Sequence, residues 1–136
     1  MVYVLDCSYC ASLFLPDEKS EDNKKAFQKI NENDEVYIPF LWWYELSNVL
    51  TIAVRRKRLT HTDALNINNL LSSFNFITDT NYGSDYTEKL LQLSQLYNLS
   101  SYDASYLELA IRKMGILGTL DKDLKKACTQ SGIKTL

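Results

Sequence analysis

LSSYDASYLELAIRKMGILGTLD, residues 99–121, reads as a capped helix, a glycine stop and a short apolar strand ending in an acid. Ser100 or Ser101 is placed to cap the helix, because a serine hydroxyl ahead of the first turn accepts one of its unpaired N–H groups. Asp103, Leu107, Ala110 and Met114 recur at helical spacing, so Asp103 shares the stripe expected to face the core. Gly115 ends the helix, Ile116–Leu120 forms the strand and Asp121 stands at its carboxyl end. A buried, unpaired carboxylate is costly, and two acids directed this way call for partners.

Working outward, Val2–Leu5 is apolar on both faces, as a central parallel strand must be, and places Asp6 at its end. Ser8–Leu15 is expected to be helical, Pro16-Asp17-Glu18 to break it, and Ser20–Asn31 to continue as a charged helix with Ala26, Phe27 and Ile30 inward. Glu35–Ile38 is the second strand, with Pro39 at the entrance to a long helix from Phe40 to about Arg58. In that helix Trp42, Leu46, Val49 and Ala53 mark the buried face, which Glu45 shares. The run Arg55-Arg56-Lys57-Arg58 complements the dipole at its end before it suggests an RNA contact. A helix through Leu65, Ile67, Leu70 and Leu71 begins at Thr60-His61-Thr62-Asp63, followed by a strand from Phe74 to Thr78. Tyr82–Tyr97 is a helix with Leu90, Leu93 and Leu96 or Tyr97 inward. After residue 121, Lys122–Ser131 is a helix stopped by Gly132, and Ile133–Leu136 a last short strand. Alternating strands and helices with short connections predict an α/β fold, a parallel sheet covered by helices and joined by right-handed crossovers, in one domain.

The chain has 136 residues, 46% of them apolar and 12% aromatic, enough for a core. Its formal charge of −2 gives no global attraction to nucleic acid. With no basic leader and no apolar run of membrane-spanning length, a soluble cytoplasmic protein is expected. The cysteines Cys7, Cys10 and Cys128 are odd in number and are expected to remain thiols.

Ligands of parallel α/β folds gather beyond the carboxyl ends of the strands. Asp6 and Asp121 lie there, and the helices bearing Glu45 and Asp103 follow a strand or turn able to deliver them to the same place. A cluster of acidic oxygens without a histidine, lysine or serine base suits a hard cation, Mg²⁺ or Mn²⁺. Such an ion activates water and offsets the negative charge of a phosphodiester under attack.

The motifs YVLDCS with Asp6 and Ser8, WWYELSNVL with Glu45, SYDASYLELA with Asp103 and GTLDKDLKKA with Asp121 resemble those of the PIN-domain ribonucleases, and more closely the VapC-type toxins. The resemblance covers essentially the whole chain. It implies an α/β/α sandwich around a central parallel sheet, Mg²⁺- or Mn²⁺-dependent RNA cleavage, homodimerisation and neutralisation by a VapB-type antitoxin. On the matching positions, Asp6 and Asp103 would be the principal metal ligands and Asp121 a third acid, acting directly or through water. Glu45 would orient the water or a second ion, and Ser8 and Thr119 would hold the acids in place. Asp123 matches an acid found in only some members.

Two rival readings compete. Cys7 and Cys10 form a CxxC after the first strand, where a thioredoxin-like redox pair would sit, but that leaves Glu45, Asp103 and Asp121 unexplained. A noncatalytic RNA- or protein-binding module with the same fold is the other. Trp42, Trp43, Tyr44 and the Phe14–Leu15 region carry more apolar surface than one helix face buries, and Trp43 is the candidate for a partner or dimer surface.

Overall fold

In the computed structural model, which describes residues 1–17 and 20–136, Val2–Leu5 forms β1 at the centre of the sheet. Tyr3, Val4 and Leu5 are all buried, so both faces of this strand are covered. β2 (Glu35–Pro39) lies on one side, with β3 (Phe76–Asp79) beyond it, and β4 (Ile116–Gly118) pairs with β1 on the other. All pairings are parallel, with Val4 opposite Tyr37 and Leu117. The sheet order β3-β2-β1-β4 makes the carboxyl ends of β1 and β4 the point where the chain's direction of travel across the sheet reverses, the place such folds bind ligands.

Between β1 and β2 run α1 (Cys7–Phe14) and α2 (Glu21–Phe27); between β2 and β3, α3 (Leu41–Arg55) and α4 (His61–Ser72). α5 (Ser84–Tyr97) and α6 (Ser101–Lys113) precede β4, and α7 (Lys122–Ser131) follows it. α6 packs on β1, β2 and β4 and is flanked by α5 and α7, while α1 packs on α2 and α3, and α3 on α4. The parallel sheet covered by helices that the alternation predicts is therefore present. Gly132, at φ +76°, stops α7 in a left-handed turn that glycine adopts without steric cost.

Several local expectations shift. α6 ends at Lys113, and Met114 turns left-handed and 90% exposed, so the buried stripe of Leu107 and Ala110 does not extend to it. Leu50, rather than Val49, joins Trp42, Leu46 and Ala53 in the buried row of α3. α3 stops at Arg55, leaving Arg58 outside to fork Asp17 through Nε and Nη2 at 2.6 and 2.7 Å. α2 ends four residues early, at Phe27, and Pro39 closes β2 rather than opening a helix. In α4, Leu65 and Leu70 are half exposed and Ala64 with Leu71 takes the core; in α5, Leu96 is exposed and Tyr97 packs inward. The last strand reduces to one bridge, Leu117 with Thr135. Pro16 and Asp17 form a turn; Glu18 lies outside the described residues.

A charged fork locks α6 against the sheet. Arg112 reaches Asp79 at the end of β3 through Nη1 and Nη2 (3.1 and 2.7 Å) and Glu108 through Nε and Nη2 (2.9 and 3.0 Å). Glu108 is buried, and its pairing satisfies a charge that would otherwise destabilise the core. No described helix is long and apolar enough to cross a membrane.

Candidate metal centre

Asp6 follows β1, and its N–H donates to the Gly118 carbonyl at 2.8 Å, extending the strand pairing by one residue. Its carboxylate is 7% exposed and sits in a cage of neutral donors. The Ser8 N–H donates to Oδ1 at 3.1 Å, and the Ser8 and Thr119 hydroxyls donate to Oδ2 at 2.9 and 2.6 Å. The same contacts make Asp6 the N-cap of α1, which aims its side chain at the strand ends. Thr119 is fully buried, and its Oγ1 also accepts from the Asp121 N–H at 3.1 Å. One hydroxyl thus ties the end of β1 to the residues leaving β4. Asp121 caps α7 through the Leu124 N–H at 2.8 Å and is exposed, with Asp123 beside it in the first turn. The expected strand through Leu120 ends instead at Gly118, which leaves Thr119 free to make these turns.

Asp103 enters from the first turn of α6. Its N–H donates to Ser100 Oγ at 3.1 Å, and that hydroxyl donates to Asp103 Oδ2 at 2.8 Å. Glu45, half-buried on α3, accepts a hydrogen bond from the Tyr106 hydroxyl. Tyr106 is 1% exposed and stands one helical turn after Asp103, so a single face of α6 delivers an acid and anchors the acid opposite. The sequence motif contains Tyr106, but nothing in its spacing marks it off from an ordinary core aromatic.

The acids sense one another. Burial raises the Glu45 pKa, the charges of Asp6 and Asp103 raise it further, and the Tyr106 hydrogen bond opposes them. Burial also raises Asp103, with Asp121, Asp6 and Asp123 adding to the effect and Ser100 opposing it. Among the described residues no Lys or Arg forms an ion pair with these acids. Among the described residues no three His, Cys, Asp or Glu side chains enclose a metal position. The donor set nevertheless fits a hard divalent cation: its oxygens are carboxylate and hydroxyl, no described ion pair engages its acids, and its most buried member is held by neutral donors.

The cysteines do not fit a redox centre. Cys7 and Cys10 are buried, burial raises both thiols far above their ordinary range, and the Asp6 charge adds to it at each. A redox pair requires the opposite shift and access. Trp42 and Leu15 belong to the core. Trp43 is half-buried, its Nε1 donates to Thr78 Oγ1 at 3.0 Å, and it lines a groove of about 440 Å³ between α3 and α4 with Leu46, Leu50 and Leu65.

A central parallel sheet with this set of acids at its switch point defines a class: residues 3–129 match the PIN domain family, and the chain belongs to it. Within that family it is a homologue of VapC-type ribonuclease toxins, 30% identical over 124 residues to Ribonuclease VapC3 of Pyrobaculum aerophilum, a match covering 91% of this chain and 92% of that one. The crystal structure of PAE2754 from P. aerophilum superposes with a TM-score of 0.71 at 24% identity, over 99% of this chain and 83% of the other. A toxin-antitoxin complex from Klebsiella pneumoniae gives 0.61 at 24% identity, over 89% and 88%.

Proposed function

We propose that the chain, as one PIN domain spanning residues 1–136, is a Mg²⁺- or Mn²⁺-dependent endoribonuclease and the toxin of a cytoplasmic type II toxin–antitoxin pair. The observation that carries this reading is the caged Asp6 carboxylate, whose charge acts on Glu45 and Asp103, with Asp121 acting on Asp103 as well. The relationship to Ribonuclease VapC3 supports it. Asp6 and Asp103, with Asp121, would hold the ion. When bound, the ion lowers the pKa of an attacking water and offsets phosphate charge. Glu45, its pKa raised by burial, would orient an attacking water and accept its proton, or would orient a second ion. Ser8 and Thr119 keep the Asp6 oxygens fixed, and Tyr106 does the same for Glu45. The direct test is cleavage of a labelled single-stranded RNA by the purified protein in Mg²⁺ or Mn²⁺ and in chelator. Cleavage that persists undiminished in chelator overturns the reading.

Tyr106 is a positioning residue in this scheme. Tyr106→Phe is expected to lower kcat by about 10- to 100-fold with KM for RNA unchanged, because the ring still fills its space while Glu45 loses its anchor. A change in KM alone, measured by steady-state cleavage, would place Tyr106 outside the chemistry.

For partners, we propose a homodimer neutralised by a VapB-type antitoxin, with the Trp43-lined groove receiving an apolar segment. The crystallised toxin-antitoxin complex of the related K. pneumoniae chain supports the type of partner. Trp43→Ala is expected to weaken antitoxin binding at least tenfold in titration calorimetry, the scale of a modest interface anchor. Equal affinity, with dimerisation also unchanged in ultracentrifugation, would exclude Trp43 from both surfaces.

A further inference from the structure

We infer that Tyr44 and Tyr102, supported by Phe40, form a stacking platform for the unpaired bases that flank the scissile phosphate; this rests on the ribonuclease reading. Each aromatic is the chain neighbour of a site acid: Tyr44 precedes Glu45, and Tyr102 precedes Asp103. Tyr44 and Tyr102 are 70% and 69% exposed, and Phe40 is 55% exposed, which is unusual for rings grouped together. Tyr44, Tyr102, Leu41 and the catalytic candidate Glu45 line one open cleft of about 290 Å³. An adjoining cleft of about 330 Å³ carries Phe40, Tyr44 and Tyr102 on to Asn81 and Tyr86. Phe40 and Tyr44 have ring centroids 6.0 Å apart and tilted by 55°, so Phe40 buttresses Tyr44 and leaves its outer face open.

Electrostatics favours a base as the occupant. Among the described residues no Lys or Arg lines either cleft, and the acid cluster repels a phosphate chain wherever a cation does not offset it. Affinity beside the site must then come from a surface that binds nucleotides without using charge. Aromatic stacking does this, tolerates any base and requires that base to be unpaired. Glu45 shares its cleft with Tyr44 and Tyr102, so a strand engaged at the acids passes these rings. The platform therefore selects single-stranded or looped RNA over duplex.

The test uses the whole protein with Mn²⁺, a labelled unstructured oligoribonucleotide, and the same strand in duplex. Tyr44→Ala and Tyr102→Ala are each expected to raise KM for the single strand about tenfold, with kcat nearly unchanged, and both Phe variants to behave as wild type. The duplex should be cleaved poorly by all of them. Unchanged KM in both Ala variants, while the wild type cleaves, overturns the platform and leaves the nuclease intact. So does conversion of a dimer to monomers by these substitutions, seen in ultracentrifugation, with KM tracking the loss, which assigns the surface to a second copy. If the wild type cleaves nothing, the nuclease reading fails, and anisotropy of the same oligonucleotide in chelator decides separately: tyrosine-dependent binding supports the platform, and tyrosine-independent or absent binding overturns it.

Discussion

Asp6→Asn is expected to lower RNA cleavage by about a thousandfold or more, roughly 4 kcal/mol of barrier, with the fold intact. The cage explains why these two outcomes separate. The Ser8 N–H still finds a carbonyl oxygen to accept it, and Asn caps a helix as well as Asp does. The Ser8 and Thr119 hydroxyls can rotate to accept from the new amide, at the cost of the hydrogen bonds that they donate to the carboxylate. The negative charge is lost, and that charge is what a divalent ion requires at its most enclosed ligand. Cleavage within tenfold of the wild type, with circular dichroism unchanged, would remove Asp6 from the chemistry.

Saturating Mn²⁺ should raise the melting temperature, and chelation should lower it. At about 100 times its dissociation constant the ion adds roughly 2.7 kcal/mol by mass action, which for a domain of this length is on the order of 5–10 °C. The reason lies in the raised pKa values of Glu45 and Asp103: burial and neighbouring acids disfavour their charged forms in the folded state. For such groups the folded state binds protons more tightly than the unfolded chain. Their contribution therefore destabilises the protein as pH rises through the ordinary carboxylate range toward their raised values, and is relieved as pH falls back. Asp103→Asn removes one of the repelling charges and keeps an acceptor for Ser100, so it should melt at or above the wild type in chelator yet gain little from Mn²⁺. Calorimetry in which wild type ignores millimolar Mn²⁺, or Asp103→Asn falls several degrees without metal, would make the acids structural.

Much of this centre is readable from the chain because short strands ending in acids leave few choices. Val2–Leu5 has no polar face, so it must be central and Asp6 must sit at its end. Lys122–Ser131 is bracketed by an aspartate able to cap and a glycine able to reverse, and the helix occupies those residues. What spacing does not convey is which distant groups meet. Tyr106 looks like any apolar helix residue until α3 is placed opposite it, and Arg112 looks like a solvent-facing cation at the end of a helix until β3 brings Asp79 to it. Met114 continues the period of the buried stripe, but the left-handed turn ahead of Gly115 overrides periodicity. The CxxC likewise shows a spacing without its environment; burial on all sides is a tertiary property.

The pairing of β1 with β4 gives the protein a built-in delay. A ribosome releases Asp6 well before the Thr119 hydroxyl that fixes it, which lies 113 residues later, and strand β4 arrives just ahead of that threonine. At roughly 5–20 residues per second, several seconds pass during which the first strand has no neighbour on that side. A nascent chain that has not yet delivered Thr119 therefore carries Asp6 and Glu45 without a closed centre, and the acids are assembled only after β4 has been made.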